Sequence, residues 1–379
     1  MKILLVVNSL YTGGAEFSTL SLYQWMIAKG HQVKLLLLKN ASPSFNPADF
    51  GISDFSTLEK TSFFKKVRAI SETVSQFQPD VVHSVLFDAN MVVRASRITA
   101  KGFLHMESLV NEVYSDFRLS DPKVSKLKLN LYRIIDGVTS RFGTDFFHAN
   151  GVAVANHYIA KVGVDPRKIK VIPRGRKPNP FVKNETSRNE LRQSLGLDER
   201  IVLVNVARHE FQKAQDTLLE AIAKLKGNLK FKLLLVGREG NFTGKINNLI
   251  EKLGLKEVVT ILGHRDDVTR ILAAADIFVF PSRFEGLPGA LIEAEAAALP
   301  VVCSDIPNNL EVVDPARNAI VFPVNNSELL SNALRELINN KKRREEMSGE
   351  SAMIYHERFD IDSVHQQMYD MIEKLVVRS

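Results

Sequence analysis

The stretch DIFVFPSRFEGLPGALIEAEAAALPVVCSD, residues 276–305, holds two apolar segments with a helical segment between them. The segments DIFVFPS (276–282) and PVVCSD (300–305) are short continuous apolar runs, which is typical of strands buried on both faces. Pro288 stands where the first turn of the intervening helix begins, a position that proline favours. The order strand, helix, strand predicts two neighbouring parallel strands joined by a crossover helix.

The same alternation of apolar runs and helical patterns extends along the whole chain. Six runs fall in the first half, at 2–9, 31–39, 80–86, 102–106, 146–150 and 169–173, and six in the second, at 201–207, 231–237, 258–263, 276–282, 300–305 and 319–324. Continuous apolar strands that alternate with helices indicate parallel sheets covered on both faces. We therefore predict an α/β protein with two doubly wound, Rossmann-like parallel-sheet domains that face each other across a cleft.

The boundary between the domains is predicted in PRGRKPNPFVKNETSRNE (173–190), which is rich in proline and charge and poor in apolar residues. We assign residues 1–175 to an acceptor-side domain and 176–359 to a donor-side domain. The last segment, FDIDSVHQQMYDMIEKLVV (359–377), has apolar residues at helical spacing. We expect a helix over about 360–379 that packs back on the first domain.

The composition narrows the class of protein. Cys303 is the only cysteine among 379 residues, which excludes intrachain disulfides and cysteine-rich zinc sites and favours a reducing, cytoplasmic compartment. No apolar run approaches the roughly 20 residues that span a membrane. The N-terminal run MKILLVVNSL is interpreted as a first strand and not as a signal peptide.

The positive charge is concentrated in the first half of the chain. Residues 1–175 contain 22 Lys plus Arg and 14 Asp plus Glu, a balance of +8, whereas the remainder has 28 and 29, a balance of −1. A basic first half indicates an anionic partner, and a solvated basic surface is the alternative. In KVSKLKLNLYRII (123–135), apolar residues share one side of a predicted helix and basic residues lie elsewhere. Such a helix lies on anionic lipid or packs its apolar stripe on the core, and the sequence leaves both open.

Two cations follow the apolar run IVLVNVA. Arg208 comes directly after it, and Lys213 lies in the loop before the next helix. The carboxyl ends of parallel strands are where such sheets bind ligands, and a guanidinium with an ammonium suits a diphosphate. The alternative is a pair of ordinary surface cations.

Three glutamates follow the run DIFVFPS. Glu285 lies in the loop at the end of the strand, and Glu293 and Glu295 lie in the helix on different sides. A carboxylate at this edge of a sheet accepts hydrogen bonds from vicinal sugar hydroxyls. At most one helical glutamate joins Glu285, and we expect Glu295 to lie on a solvated face.

The first domain offers weaker candidates. TGGAE (12–16) opens the first helix, where an anion site and a tight turn are about equally consistent with the glycines. His105 is expected at the carboxyl end of the run GFLHM, where it contacts a sugar, transfers a proton or has a purely structural role. Because no carboxylate pair or histidine cluster has metal-ligand spacing, we predict no metal site.

Taken together, these motifs resemble the retaining GT-B glycosyltransferases of the glycosyltransferase family 4 group. The resemblance covers nearly the whole chain and is strongest from 201 to 312. It rests on GGAE (13–16), VIPRG (171–175), ARHEFQKAQDTLLEAI (207–222), VG (236–237), ILGHRDDVTRILAAADIFVFPSRFEGLPGALIEAEA (261–296), with its E-x(7)-E spacing, and PVVCSDIPNNLEVV (300–313).

The resemblance implies a role for each matching residue. Arg208 and Lys213 would hold the diphosphate of a nucleotide-sugar and stabilise the leaving group, Glu285 would bind the donor sugar, Glu293 the ribose, and His105 would line the reaction centre. The remaining implied donor-binding residues are Gly13, Gly14, Gly237, Gly286, Leu287, Pro288 and Gly289. The family implies no cofactor and no metal: the UDP- or GDP-linked sugar is a co-substrate, and the acceptor is a glycan or lipid-linked glycan in cell-surface assembly. No nucleic-acid partner is expected, and the protein would be cytoplasmic or peripheral on the inner face of the membrane.

Some positions depart from the family pattern. Arg174 replaces an asparagine, Ala298 a glycine, and Asn308 and Asn309 a glycine pair, which leaves the identity of the donor open. Two alternative functions remain: a catalytically silent GT-B partner that supports another transferase, and a sugar epimerase of the same architecture. The presence of both cations and both glutamates argues against the first, and the FEGLP segment with its two glutamates argues against the second.

Overall fold

A computed structural model gives the fold, and it describes all residues except 11–13, 40–45, 116–117, 119–123, 183, 198, 226, 228–229 and 378–379. The chain divides into two compact units. The first comprises Met1–Gly175 with Asp362–Ser379, and the second comprises Arg176–Ile361. Each unit is built on a parallel sheet flanked by helices, which confirms the predicted α/β class with two Rossmann-like sheets.

The first unit contains a seven-stranded parallel sheet in the order β3-β2-β1-β4-β5-β6-β7. Its strands are β1 (Lys2–Val7), β2 (Gln32–Leu37), β3 (Phe55–Thr57), β4 (Val81–Val85), β5 (Leu104–Leu109), β6 (Phe146–Ala149) and β7 (Ile169–Val171). Its α-helices are α1 (Gly14–Ala28), α2 (Phe63–Phe77), α3 (Phe87–Ser96), α4 (Lys126–Gly143) and α5 (Val152–Val162), and the chain's last helix, α14 (Ile361–Val377), joins them.

The second unit contains a six-stranded parallel sheet in the order β10-β9-β8-β11-β12-β13. Its strands are β8 (Ile201–Val206), β9 (Phe231–Val236), β10 (Val259–Gly263), β11 (Ile277–Phe280), β12 (Val301–Ser304) and β13 (Ala319–Phe322). Its α-helices are α6 (Glu185–Ser194), α7 (Gln215–Leu225), α8 (Thr243–Lys252), α9 (Val268–Ala274), α10 (Gly289–Ala296), α11 (Pro307–Leu310), α12 (Ser327–Asn339) and α13 (Lys341–Arg358).

Both sheets are buried on both faces, which explains the continuous apolar strands. In β1, Ile3 and Leu5 lie in one apolar cluster and Leu4 and Val6 in another. In the second unit the strand order reverses between β8 and β11, which pair directly. Loops at the carboxyl ends of the two strands at such a switch point lie beside each other, and this is where doubly wound sheets bind ligands.

Helix α14 packs within the first unit. Val364, Met368 and Ile372 lie in the same buried cluster as Leu20 of α1 and Leu5 of β1. The apolar spacing that predicted this helix therefore corresponds to a buried side.

Helix α4 has its apolar stripe on the outside. Its buried residues are Leu129, Asp136, Ser140 and Gly143. The opposite side carries exposed apolar side chains, at Leu127, Leu131, Ile134, Val138 and Phe142. Of the two interpretations of this stripe, packing on the core of the first unit is wrong for Leu127, Leu131 and Ile134, which are exposed, although Val124 just before the helix packs against a buried cluster. Lys123, at the start of the predicted segment, lies outside the described residues.

Candidate active site

Lys213 is held in the loop that follows β8. Phe211–Lys213 form one turn of 3₁₀ helix, and Ala214 has φ 50°, in the left-handed region, before α7 begins. This compact turn ends the strand and starts the helix within a few residues. Lys213 therefore stands at the carboxyl edge of the sheet, as the sequence predicts.

Glu285 is held in the loop that follows the neighbouring strand, β11. Lys213 Nζ lies 2.6 Å from Glu285 Oε1, and Gln212 Nε2 donates to Glu285 Oε2 at 3.2 Å. Both charged side chains are largely buried, and the Lys213 ammonium also lies 5.4 Å from the centre of the Phe280 ring. The fold thus joins two predicted site residues, one from each strand of the switch point, in a shielded ion pair.

Arg283 fastens these two loops to each other, and sequence reasoning missed it. Its guanidinium donates to Asp216 Oδ1 and Oδ2 at 2.9 and 3.0 Å, to the Phe211 carbonyl at 2.5 Å and to Asn325 Oδ1 at 2.8 Å. Its backbone N–H donates to the Gln212 carbonyl at 2.8 Å. Arg283 is buried, so it holds the Lys213 loop in place and does not reach solvent itself.

Asp216 is the anionic partner in this arrangement. Besides Arg283 it accepts from Lys245 Nζ at 2.8 Å, and the two cations outweigh its burial, so the pKa of Asp216 is lowered. The sequence pointed to a role for Asp216 only through its position, at the start of the helix that follows Arg208 and Lys213.

Arg208 differs from Lys213 because its side chain is exposed. Its carbonyl accepts from Gln215 Nε2 at 3.0 Å and from the Glu210 N–H at 2.9 Å, which fixes the backbone. Among the residues that the structure describes, none bonds its guanidinium. A fixed backbone with an open guanidinium suits a residue that contacts an anionic ligand.

Gly237 has a structural reason to be glycine. Its φ is 150°, and a Cβ there would overlap the carbonyl of Ala207, with 2.6 Å to the carbonyl carbon. Glycine at this position allows the ends of β8 and β9 to approach closely. The structure therefore accounts for Gly237 through packing, and its predicted contact with the donor stays a prediction.

The loop and helix after Glu285 contain the rest of the predicted donor residues. Gly286, Leu287 and Pro288 are buried, and Leu287 lies in an apolar cluster of the second unit. Pro288 is the N-cap of α10, and Gly289 is its first residue. Glu293, in the same helix, is partly exposed and accepts from Arg176 Nε at 2.6 Å. Arg176 is a second residue that sequence reasoning missed.

Glu295 does not lie on a solvated face, and that prediction is wrong. It is fully buried and accepts from Asn318 Nδ2 at 2.9 Å through Oε1. Burial raises the pKa of Glu295 well above its ordinary value. The helix ends at Ala296 with Ala297 as its C-cap, and the next residue, Ala298, has φ 54°. The position at which the family has glycine is therefore one that requires the left-handed conformation.

The asparagine pair that departs from the family pattern is built into the second unit. Asn308 and Asn309 are both buried. Asn309 Nδ2 donates to the Ser304 carbonyl and to its hydroxyl, each at 3.0 Å. This asparagine therefore anchors the short helix α11 to the end of β12.

In the first unit, Gly14 is the first residue of α1, whereas Gly13 lies outside the described residues. His105 is the second residue of β5, so its predicted place at the carboxyl end of a strand is wrong. It is fully buried, with Nε2 2.8 Å from the Ser84 hydroxyl and Nδ1 2.6 Å from the Gly143 carbonyl. This geometry favours the structural interpretation of His105.

Two further buried histidines lie in the same sheet. His83 Nδ1 is 2.6 Å from the Tyr23 hydroxyl, and the Ser108 hydroxyl lies 2.7 Å from His83 Nε2 and 2.8 Å from His148 Nδ1. Burial lowers the pKa of His83 to about 3 and that of His148 to about 4. Both rings are therefore neutral near pH 7.

Within the described ranges, no group of three or more histidine, cysteine, aspartate or glutamate side chains is placed to hold a metal ion. In the same residues, no helix is both long and apolar enough to cross a membrane.

Two family models match the chain. The model described as Glycosyltransferase Family 4 matches residues 12–179, and the model described as Glycosyl transferases group 1 matches residues 187–352. The boundary between the two matches falls close to the boundary between the two compact units, which lies after Gly175.

Several curated relatives of the chain are named as glycosyltransferases. EpsF of Bacillus subtilis, provisionally named as a glycosyltransferase, is 24% identical over 80% of this chain and 79% of its own. An N,N'-diacetylbacillosaminyl-diphospho-undecaprenol alpha-1,3-N-acetylgalactosaminyltransferase of Campylobacter jejuni is 25% identical over 66% of this chain and 67% of its own. The chain spans about half, 48%, of two further relatives.

A solved structure shares the fold over almost the full length. Alr3699/HepE of Anabaena, crystallised in complex with UDP and glucose, has a TM-score of 0.87 and 20% identity, with 99% of this chain and 100% of that chain covered. At this level of identity the likeness shows the fold. The two family matches, the relatives and the shared fold together show that the chain belongs to the GT-B glycosyltransferases of the family 4 group.

Proposed function

We propose that this glycosyltransferase moves a sugar from a UDP- or GDP-linked donor to a glycan or lipid-linked acceptor in cell-surface glycan assembly, with retention at the anomeric carbon and without a metal ion. The observation that carries the proposal is the buried ion pair between Lys213 and Glu285 at the switch point of the second sheet. The relatives add support, because one of them is named for a diphospho-undecaprenol-linked acceptor, and a structural neighbour was crystallised with UDP-glucose.

The cations suit a leaving nucleoside diphosphate. Arg208 presents an open guanidinium, and Lys213 adds an ammonium whose position is fixed by Glu285 and Phe280. Negative charge grows on the diphosphate as its bond to the sugar breaks, and fixed cations stabilise that charge without reorganising. Two cations take the place of a metal ion in this scheme.

The carboxylates suit hydroxyl groups. Glu285 Oε1 is bonded to Lys213 and Oε2 only at 3.2 Å to Gln212, so the carboxylate keeps accepting capacity for a donor-sugar hydroxyl. Glu293 is partly exposed in the helix that starts at Gly289 and would accept from the ribose.

We propose a front-face displacement for the transfer. The bond from the anomeric carbon to the phosphate oxygen breaks, and the bond to the acceptor oxygen forms on the same face. The acceptor hydroxyl gives its proton to the departing phosphate oxygen, so no protein base is needed. His105 takes no part in this scheme, because both of its ring nitrogens have buried partners.

Donor turnover tests the proposal. The full chain is incubated with UDP-, GDP- and ADP-sugars, with and without EDTA, and release of the nucleoside diphosphate is measured. We expect turnover with a UDP- or GDP-sugar that EDTA leaves unchanged and that Lys213→Ala and Glu285→Ala each lower at least a hundredfold. Lys256→Ala, which removes an exposed lysine paired with Glu251, is the matched control and is expected to retain activity.

Other outcomes contradict the proposal. Turnover that Lys213→Ala and Glu285→Ala leave intact would show that the ion pair is not the site. If none of the donors is turned over, the silent-partner function is favoured. The configuration of the transferred sugar, read from the anomeric coupling constant in the NMR spectrum of the product, checks retention.

We further propose that α4 docks on an anionic membrane surface, which would bring a lipid-linked acceptor to the enzyme. Exposed apolar residues form a stripe opposite the buried side of the helix, and Leu127 and Phe142 are 81% and 84% exposed. Lys126 and Lys128, both exposed, lie on the two sides of this stripe, as expected of a helix lying in the headgroup region, whereas Arg133 is half-buried nearer the inner side.

Sedimentation with vesicles tests the docking. We expect the full chain to sediment with vesicles of phosphatidylglycerol and phosphatidylcholine, and much less with phosphatidylcholine alone. Reversing the charges of Lys126 and Lys128 to glutamate is expected to abolish sedimentation, whereas reversing the two exposed lysines Lys252 and Lys256 in the second unit is the matched control. Failure of the unaltered chain to sediment with anionic vesicles would refute the docking and leave the donor chemistry untouched.

A further inference from the structure

Arg176 lies at the start of the second unit, where its side chain reaches the donor-side helix α10. It is buried, with 8% of its side chain exposed, and its Nε lies 2.6 Å from Glu293 Oε1. A charge-assisted bond of this length holds a carboxylate firmly. Because Glu293 is 33% exposed and its Oε2 has no partner within the described part of the chain, that oxygen keeps its accepting capacity.

The backbone of Arg176 is fixed as well. Its N–H donates to the Phe359 carbonyl at 2.9 Å, and its carbonyl accepts from the Tyr355 hydroxyl at 3.0 Å. Both partners are buried residues at the end of α13. The guanidinium is therefore attached to a rigid part of the second unit and is not a mobile surface cation.

Gly289 provides the space that the guanidinium occupies. A Cβ built on Gly289 would overlap Arg176 Nη2 and lie 2.9 Å from the guanidinium carbon. Gly289 has an ordinary φ, so its backbone does not require glycine. While the guanidinium keeps this place, only glycine fits at the first residue of α10.

We infer that Arg176 is a positioning residue for the donor, which orients Glu293 and thereby sets the preference of the site for ribose hydroxyls. This inference rests on the proposed function, in which Glu293 binds the ribose. A glutamate on a helix surface loses rotamer freedom when it binds a ligand, and Arg176 removes most of that freedom beforehand. Preorganisation of one such side chain corresponds to about a three- to tenfold gain in affinity.

The test compares a nucleoside diphosphate with its 2′-deoxy form. Binding of UDP, GDP and their 2′-deoxy forms to the full chain is measured by titration calorimetry. We expect the unaltered chain to bind the ribose form at least about tenfold more tightly than the 2′-deoxy form, because a hydrogen bond to a charged group is lost in the latter. Glu293→Gln and Arg176→Ala are each expected to lose most of this preference, mainly by weakening the ribose form, and Arg176→Lys to lose part of it.

A purely structural role predicts a different pattern. General damage to the site would weaken the ribose and 2′-deoxy forms equally and leave their ratio unchanged. Arg317→Ala, which removes an arginine paired with Glu350 and Glu357 elsewhere in the second unit, is the matched control and is expected to keep the ratio.

Gly289→Ala gives an independent arm that keeps the arginine. The added methyl group must displace the Arg176 guanidinium, so we expect loss of the ribose preference in the unaltered background and no further loss in the Arg176→Ala background. If circular dichroism shows that Arg176→Ala is unfolded, the ribose preference of Gly289→Ala still tests the role of Arg176.

The outcomes separate the two proposals. If the unaltered chain binds no nucleoside diphosphate, the proposed function fails and this inference fails with it. If it binds with no ribose preference, the proposed ribose contact of Glu293 fails together with this inference, whereas the proposed roles of Lys213 and Glu285 stand. If Arg176→Ala and Gly289→Ala retain a preference that Glu293→Gln loses, only the role of Arg176 is overturned.

Discussion

Replacement of the buried Glu295 by glutamine is predicted to stabilise the protein increasingly as the pH rises. Glu295 Oε1 accepts one hydrogen bond, from Asn318, and Oε2 has no partner among the residues described. Burial is the main cause that raises the pKa of Glu295 well above its ordinary value of about 4.5. The folded protein therefore keeps a proton on Glu295 that the unfolded chain releases.

The sign and size of the effect follow from this difference. A raised pKa in the folded state gives a contribution that is fully present below pH about 4.5 and is lost as the pH rises towards the folded pKa. Within that window the free energy of unfolding falls by about 1.4 kcal/mol per pH unit, because the unfolded chain binds one proton fewer. Glutamine does not titrate, so the stability difference between Glu295→Gln and the unaltered chain is expected to grow from pH 5 to pH 6, with about 1.4 kcal/mol as its upper limit.

Urea unfolding at pH 5.0, 5.5 and 6.0 measures this difference. Far-UV circular dichroism follows both units, and the fluorescence of Trp25, the only tryptophan, follows the first unit alone. The pH-dependent change in stability is expected in the circular dichroism signal of the second unit, which Trp25 fluorescence does not follow. Glu336→Gln, at an exposed position of α12, is the control and is expected to show no such slope. Parallel curves for Glu295→Gln and the unaltered chain would refute the reasoning, because they would mean that Glu295 is ionised in the fold.

Three further predictions concern other residues. Ala298→Gly is expected to raise the free energy of unfolding by up to about 1 kcal/mol, because relief of the left-handed strain exceeds the added chain entropy; a lower melting temperature would contradict this. Glu107→Gln, which leaves Arg94 with one carboxylate partner fewer in a buried cluster, is expected to cost about 3–5 kcal/mol by urea unfolding followed through Trp25 fluorescence, and a cost below about 1 kcal/mol would be inconsistent with it. Arg283→Lys keeps the charge but loses the forked contacts that hold the Lys213 loop, so donor turnover is expected to fall about tenfold or more with unchanged circular dichroism; full activity would mean that the loop holds its position without them.

The strands were the most predictable part of the fold, because strands buried on both faces are continuously apolar. The exceptions have physical causes. Strand β3 has three exposed residues and no apolar run. Strand β5 was placed too early, because its second half contains Glu107 and Ser108, which read as polar loop residues. Glu107 is in fact buried against Arg94 and Thr144, and such pairing is invisible in the sequence.

The residues of the candidate site also differ in how far the sequence predicts them. Lys213 and Glu285 were predictable, because both follow recognisable strands and the carboxyl ends of neighbouring parallel strands meet. Arg283 and Arg176 were not, because their partners lie 67 and 117 residues away and only the folded chain brings them together. Helix α4 was predicted correctly as amphipathic. The side of α4 that faces the core was not predicted, because an apolar stripe alone does not show whether the core or solvent lies beside it.

The close approach of Arg176 to Gly289 also has an evolutionary consequence. The two residues compete for one volume, so a larger side chain at the glycine position either displaces the guanidinium from its present place or requires a shorter side chain at the arginine position. In homologous proteins these two positions are therefore expected to change together. Where both residues are present in a genome-derived sequence, they would mark an enzyme with this arrangement around the glutamate of α10, and their joint replacement would mark a lineage that holds that glutamate by other means.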